Sequence, residues 1–274
     1  MLYAAAVMIV VGIKHYIIIS LLSIYLTYIN IVIVVKGELA VYNVTIILIL
    51  VFMALLSHFR TMCGDPGAVP YNAYPLERHE NERTQALGSI AMCGRCDAYK
   101  PPGSHHDRVS NRCVCRMDHF CPWMNNAIGA KNQKNFFLFL IYTDIAAIYM
   151  YIILALHMID CGSFACFNGV ELNLVRVLIF VLLFAILFTS SMILNQVYGL
   201  STGLGTIDRM KLKSDDPEEG TPVPFEHVFG SYILAWFLPL DPIFEDEDEV
   251  YKYCVKPGLG SYAVHLSNAN NRQL

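Results

Sequence analysis

Five of the nine cysteines fall between positions 93 and 121, in CGRCDAYKPPGSHHDRVSNRCVCRMDHFC. Thiols packed this densely beside histidines point to metal binding or nucleophilic chemistry. Cys93-x-x-Cys96 has the short spacing of a zinc knuckle, and His106 and Cys113 follow closely enough to complete a tetrahedral set. The segment holds few apolar residues, so a structural zinc ion supplies folding energy that it otherwise lacks. Downstream, Asp118-His119-Phe120-Cys121-Pro122-Trp123 forms a second constellation. Pro122 biases Cys121 towards an extended backbone, and in an extended segment alternate side chains share a face. His119 and Cys121 then point the same way. A histidine so placed takes the thiol proton while Asp118 orients the imidazole, the arrangement that activates a cysteine nucleophile. The competing reading of the same spacing makes His119 and Cys121 two further zinc ligands.

The elements that position these residues are apolar. Of the 274 residues, 55% are hydrophobic and 15% charged, and the mean hydropathy is +0.46. Soluble domains average about 45–50% apolar and about 25% charged residues. Disorder, a collagen repeat and a small disulfide scaffold are excluded, and a net charge of −4 without a basic stripe argues against nucleic-acid binding. Residues 17–35 and 41–59 carry no formal charge, 136–158 carry only Asp144, and 175–197 only Arg176. Each is close to the roughly 20 residues that cross a bilayer as a helix. The expected fold is an all-α membrane protein of four transmembrane helices, with the cysteine-rich domain between helices 2 and 3. The domains run 1–59 (helices 1 and 2), 60–135 (loop), 136–197 (helices 3 and 4) and 198–274 (tail). Lys and Arg number ten in 60–134 and six in 198–274, but the short connections hold only Lys36. The loop, the tail and both termini are therefore expected on the cytoplasmic side. The first span is too long for a cleaved signal peptide. The sequon Asn43-Val44-Thr45 lies almost inside the second span and is expected to stay unused. A disulfide between Cys161 and Cys166 is chemically allowed on the far side. The acidic run Glu245–Glu249 reads as a solvated surface.

At this point the sequence resembles the DHHC family of protein S-acyltransferases, the palmitoyltransferases, over nearly its whole length. Asp65-Pro66-Gly67 looks like the family's DPG motif, and Cys93 to Phe137 follows its cysteine-rich domain, including Lys100-Pro101, His105-His106, Pro122-Trp123, Asn125-Asn126, Gly129 and Asn132. Gly205-Thr206-Ile207-Asp208 resembles a degraded TTxE motif, and Val228 to Pro239 resembles the family's C-terminal element. The resemblance implies a protein S-acyltransferase. The acyl donor is a long-chain acyl-CoA such as palmitoyl-CoA, and the acceptors are membrane-proximal cysteines of substrate proteins. The implied catalytic residues are Cys121, His119 and Asp118, and the implied location is the Golgi or another endomembrane.

In the family two zinc ions are bound, each by three cysteines and one histidine. By resemblance the first set falls on Cys93, Cys96, His106 and Cys113, all present. The second falls on Asp107, Ser110, Phe120 and Ala127, none of them Cys or His, so one zinc ion is expected. Phe120 and Ala127 are expected to replace the metal with an apolar contact and Asp107 to bond a backbone amide, while Cys115 is the thiol available for an improvised site with Asp107, His105 or Cys121. Gly103 and Pro224 stand where the family usually has Arg and Asn. The expected donor-binding residues are Lys100, Arg116, Trp123 and Ala146. Lys100 leads the cytoplasmic cations that also include Arg112, Lys131 and Lys134, and Ala146 with Ala147 lies at the depth a sixteen-carbon chain reaches, some 10 to 13 residues into the third span at about 1.5 Å per residue. The runner-up is an inactive membrane scaffold of the same fold. A channel or transporter has only Asp144 in its favour.

Overall fold

The computed structural model describes residues 16–17, 19–21, 23, 26–27, 40–75, 91–162, 167–211 and 220–255. Three helices among them are long and apolar enough to cross a membrane: α1 (Ala40–Cys63), α2 (Gln133–Asp160) and α3 (Gly169–Thr202). They match the expected spans 41–59, 136–158 and 175–197 but run further at both ends. Of the expected first span, the described positions between 16 and 27 are helical, and the remainder lies outside the described residues, as do both termini. A membrane core of Ile47 from α1, Ala146, Ala147, Met150 and Leu154 from α2, and Val175, Leu178 and Leu182 from α3 joins the three helices.

Capping explains the extra length of α3. Asn168 accepts from the amides of Val170 and Glu171, and Glu171 returns a bond to the Asn168 amide, so the helix starts before the charge-free run. Within the membrane, Asp144 accepts from the hydroxyls of Thr189 (2.6 Å) and Ser190 (3.1 Å). These bonds make it a polar tie between α2 and α3, and the one feature suggesting a channel is accounted for. Asn43 accepts from the Tyr149 hydroxyl at 2.8 Å inside α1. Cys161 is disulfide-bonded; its expected partner Cys166 lies outside the described residues.

The all-α expectation needs correction in the loop, which is built of two-stranded antiparallel hairpins. These pair β2 (Met92–Cys93) with β3 (Ala98–Tyr99), β4 (His105–Asp107) with β5 (Arg112–Val114), and β6 (His119–Cys121) with β7 (Asn126–Ile128). Each turn ends on an Asx residue with positive φ: Asp97 (51°), Asn111 (54°) and Asn125 (48°). Asn and Asp tolerate that left-handed conformation better than other side chains, and no apolar period competes for a helix here. A fourth pair joins β1 (Ala73–Tyr74) to β8 (Cys254–Val255), fastening the tail to the loop. After α3 come the short helices α4 (Thr206–Lys211), α5 (Glu226–Phe229) and α6 (Glu247–Tyr251), with a 3-10 turn at Ile233–Phe237. The acids of α6 are largely exposed, as a solvated surface requires, and Asp246 caps it by accepting from the Glu249 amide.

The DPG-like residues seat the hairpins on α1. Asp65 accepts from the amides of Gly67 and Ala68, and the Gly67 carbonyl accepts from Cys115 at 2.9 Å. A Cβ on Gly129 would stand 2.4 Å from the Pro66 carbonyl and 2.5 Å from Val114, so only glycine permits this contact. Asn126 caps the end of α1 by donating to the carbonyls of Thr61 and Gly64.

Candidate active site and metal centre

The candidate metal-ligating side chains come from two hairpins. β2 carries Cys93, its turn Cys96, and the paired strands β4 and β5 bring His106 opposite Cys113. The four donor atoms lie within 4.8 Å of one another, with Cys96 Sγ 3.2 Å from His106 Nδ1 and 3.7 Å from Cys113 Sγ. Three thiols and one imidazole at these separations fit a tetrahedral zinc ion with bonds of about 2.0–2.3 Å. Among the described residues this is the one such converging group. Cys115 is not part of it. Its side chain is buried with Val69, Ala130, Phe244, Val250 and Tyr251, and burial pushes the thiol up to about 12.

His119 and Cys121 lie on the extended strand β6, as the proline predicts, with their side chains on one face. Cys121 is 4% exposed and sits among Met124, Ile128, Phe136 and Leu140, on top of the apolar contact between α2 and α3. His119 Nδ1 donates to Asp118 Oδ2 at 2.7 Å, and its ring stands edge-on to Phe136 at 5.5 Å. Burial opposes the charge on His119, but hydrogen bonds to Asp118 and Cys121 and their charges outweigh it and raise the imidazole from 6.5 to about 9. Burial likewise opposes ionisation of Asp118. Four effects prevail over it: the His119 bond, the Thr206 amide, the His119 charge and the Gln196 amide hold the carboxyl far below its ordinary range.

Asp118 is thus the most heavily braced residue of the site. Its Oδ1 accepts from the Thr206 backbone at 2.6 Å and its Oδ2 from Gln196 at 2.8 Å. Gln133 donates to Gln196, and Arg116 donates to both Gln133 and the His227 carbonyl, which links the tail to Asp118 through α2 and α3. Sequence reasoning missed Gln133 and Gln196; the signal was there, since amide side chains at span ends are candidates for buried polar contacts. It also passed over His58, a buried residue of α1 that bonds the Trp123 carbonyl at 3.3 Å.

The family profile described as DHHC palmitoyltransferase matches residues 88–213. Palmitoyltransferase ZDHHC3-A of Danio rerio is 33% identical over 220 residues, which cover 76% of this chain and 68% of the relative. Palmitoyltransferase ZDHHC3 of Homo sapiens is 32% identical over 217 residues, covering 76% and 72%. Probable protein S-acyltransferase 12 of Arabidopsis thaliana is 34% identical over 206 residues, covering 70% of each. This chain belongs to the DHHC palmitoyltransferase family.

None of the positions expected for a second metal in a DHHC protein holds Cys or His. Phe120 and Ala127 are Cα partners across β6 and β7, and both pack against Val114 and Met117. Asp107 accepts from the amides of Val109 and Ser110, closing the β4–β5 turn. These four positions hold an apolar contact and a carboxylate-capped turn. His105 pairs with Asp208 at 2.7 Å and approaches Lys211 at 2.9 Å, tying β4 to α4. Of the five cations expected near donor phosphates, Arg116 and Arg112 bond protein carbonyls, Lys131 pairs with Asp65, and Lys134 is fully buried. Lys100, beside β3, is the one whose side chain is partly exposed and has no hydrogen-bond or ion-pair partner among the described residues. Trp123 is exposed two residues beyond Cys121, just after β6. Ala146 and Ala147 line a cavity of about 110 Å³ between the helices, together with Phe139, Thr143, Met150 and Leu182.

Proposed function

We propose that this chain transfers a long-chain acyl group such as palmitoyl from acyl-CoA to cysteines of substrate proteins, through a thioester on Cys121. The observation that carries this reading is the Asp118–His119 pair at 2.7 Å on the same strand as a thiol that caps an intramembrane apolar cluster. In the first exchange His119 takes the Cys121 proton, the sulfur attacks the thioester carbonyl, and the carbon–sulfur bond to coenzyme A breaks. The departing coenzyme A sulfur takes the proton back from His119. In the second, a substrate cysteine loses its proton to His119, attacks the acyl-enzyme and releases the Cys121 thiol. Asp118 holds the imidazole in position and stabilises its charged form. Lys100 receives the donor's phosphates, with Trp123 beside them, and the cavity at Ala146 receives the acyl chain. Arg116, tied to His227 and Gln133, braces the site instead.

We assign one zinc ion to Cys93, Cys96, His106 and Cys113, where it fixes the hairpins that carry β6. The chain is read as crossing the membrane four times, with the cysteine-rich loop and both termini cytoplasmic. Incubation of the purified protein with labelled palmitoyl-CoA tests the reading. Label is expected on Cys121, removable by hydroxylamine and absent in Cys121→Ser and Cys121→Ala. A chain that never acquires label while a related enzyme does would leave the membrane-scaffold role standing.

A further inference from the structure

Positive-inside reasoning puts everything after α3 in the cytoplasm, yet the tail's most apolar stretch sits beside the membrane helices. Residues 232–240, Tyr-Ile-Leu-Ala-Trp-Phe-Leu-Pro-Leu, carry no charge. Their side chains divide into two sets. Trp236 faces the protein, donating to the Gly230 carbonyl at 2.8 Å and packing on Phe229. Leu234 (90% exposed), Phe237 (68%), Ile233, Tyr232 and Leu240 face outward, and Ile243 extends the same surface.

Two contacts set the depth of this segment. The Tyr142 hydroxyl donates to the Phe237 carbonyl. Tyr142 lies nine residues inside the start of α2, about 13 Å along the helix at 1.5 Å per residue. At the other end Arg60, in the last turn of α1, donates to the Pro239 carbonyl at 3.2 Å and meets Asp241 at 3.6 Å. The chain therefore runs from a charged level at Asp241 down to the level of Tyr142 within the span.

Backbone that is not a full helix survives at such depth only when protein groups satisfy it. Here the Ala235 amide bonds Tyr232, that of Leu238 bonds Ala235, that of Leu240 bonds Leu238, and that of Ser231 bonds the Ile243 carbonyl. The carbonyls of Phe237, Pro239 and Gly230 have side-chain donors, and Pro239 and Pro242 have no amide hydrogen to satisfy.

We infer that residues 232–240 form a membrane-seated wedge whose outward side chains enter the acyl region of the cytoplasmic leaflet. The occupant of this surface is lipid, because the uncharged stretch 232–240 is held beside the membrane helices at the level of Tyr142, and the first charge after it, Asp241, stands back at the level of Arg60. The wedge anchors the tail whose His227 carbonyl receives Arg116, so lipid contact also steadies the chain of bonds that ends at Asp118.

The test uses the full-length protein in phosphatidylcholine bilayers with brominated acyl chains, which quench tryptophan on contact. The fluorescence added by Leu234→Trp over the wild type, with its two tryptophans, is expected to shift to the blue and lose most of its intensity. That added by Asp248→Trp, on the exposed helix α6, is expected to be unaffected. Leu240→Trp repeats the measurement at a second site should Leu234→Trp fold poorly. Unquenched emission at both apolar sites would overturn the inference and leave the surface to a protein partner. The readout needs no acyl transfer, so it stands apart from the test of the reaction.

Discussion

At the level of single residues the site turns on His119, whose proton is held by two neighbours. Removing one should be visible in the pH dependence. Because the folded imidazole sits at about 9 against an ordinary 6.5, its contribution to stability is complete below about pH 6.5 and is lost as pH rises through about 9. Asp118→Asn removes the dominant partner, and the difference in stability between wild type and variant should shrink across that window when thermal unfolding is followed against pH. The effect is of the order of 2–3 kcal/mol at the acidic end, shared between the two residues. The pH profile of Cys121 loading should move to lower pH in the same variant; an unmoved profile would separate His119 from the reaction. Gln196→Leu removes one donor to Asp118. A hydrogen bond to a charged group contributes about 1.5–3 kcal/mol, so loading should slow by roughly tenfold or more with KM for acyl-CoA unchanged. This network shows where sequence reading ends at the residue scale. His119 and Cys121 were readable because proline and strand alternation act locally, whereas Gln196 reaches Asp118 from 78 positions away.

Among the elements, the hairpins carry both the candidate metal donors and Cys121. The donor set was legible because cysteine spacing survives any ignorance of the fold. The hairpins were not, since strands of two or three residues carry no apolar period and are turned by Asx residues. One zinc per chain is expected by elemental analysis, with Cys93→Ala losing the metal and the acylation together and Cys115→Ser retaining both. Phe120→His makes the argument sharper, because it restores a histidine at the expected second site. Without Cys at 107, 110 or 127 it gains no partners, and it places a polar ring against Val114, Met117 and Ala127. Stability should fall by about 1–3 kcal/mol with zinc content unchanged; a second bound zinc ion would show that the apolar contact has not replaced the site.

Across the whole molecule, hydropathy located the spans but not their limits. The reading stopped at charges such as Arg176 and so missed the first turns of α3, which a capping box holds, and the first turn of α2, where Gln133, Lys134 and Asn135 are buried against the loop and tail. The uncharged stretch 232–240 is far too short to span a bilayer, so nothing in its length distinguished it from cytoplasmic tail. Helical rise, combined with the acyl-chain length that the family resemblance implies, brought Ala146 into consideration before any cavity was known. Ala146 is 3% exposed and lines the cavity between the helices, while its neighbour Ile145, 45% exposed, faces outward. Ala146→Phe fills that space, so the longest acyl chains should lose most: loading from eighteen-carbon acyl-CoA should fall relative to fourteen-carbon acyl-CoA. Overpacking of this kind costs about 1–3 kcal/mol, which a competition assay reads as a change of roughly five- to hundredfold in the ratio of products. Ile145→Phe places the same phenyl ring one position away on the lipid side and should leave the ratio where it was. If both variants shift chain length alike, or neither does, the cavity at Ala146 does not hold the acyl chain.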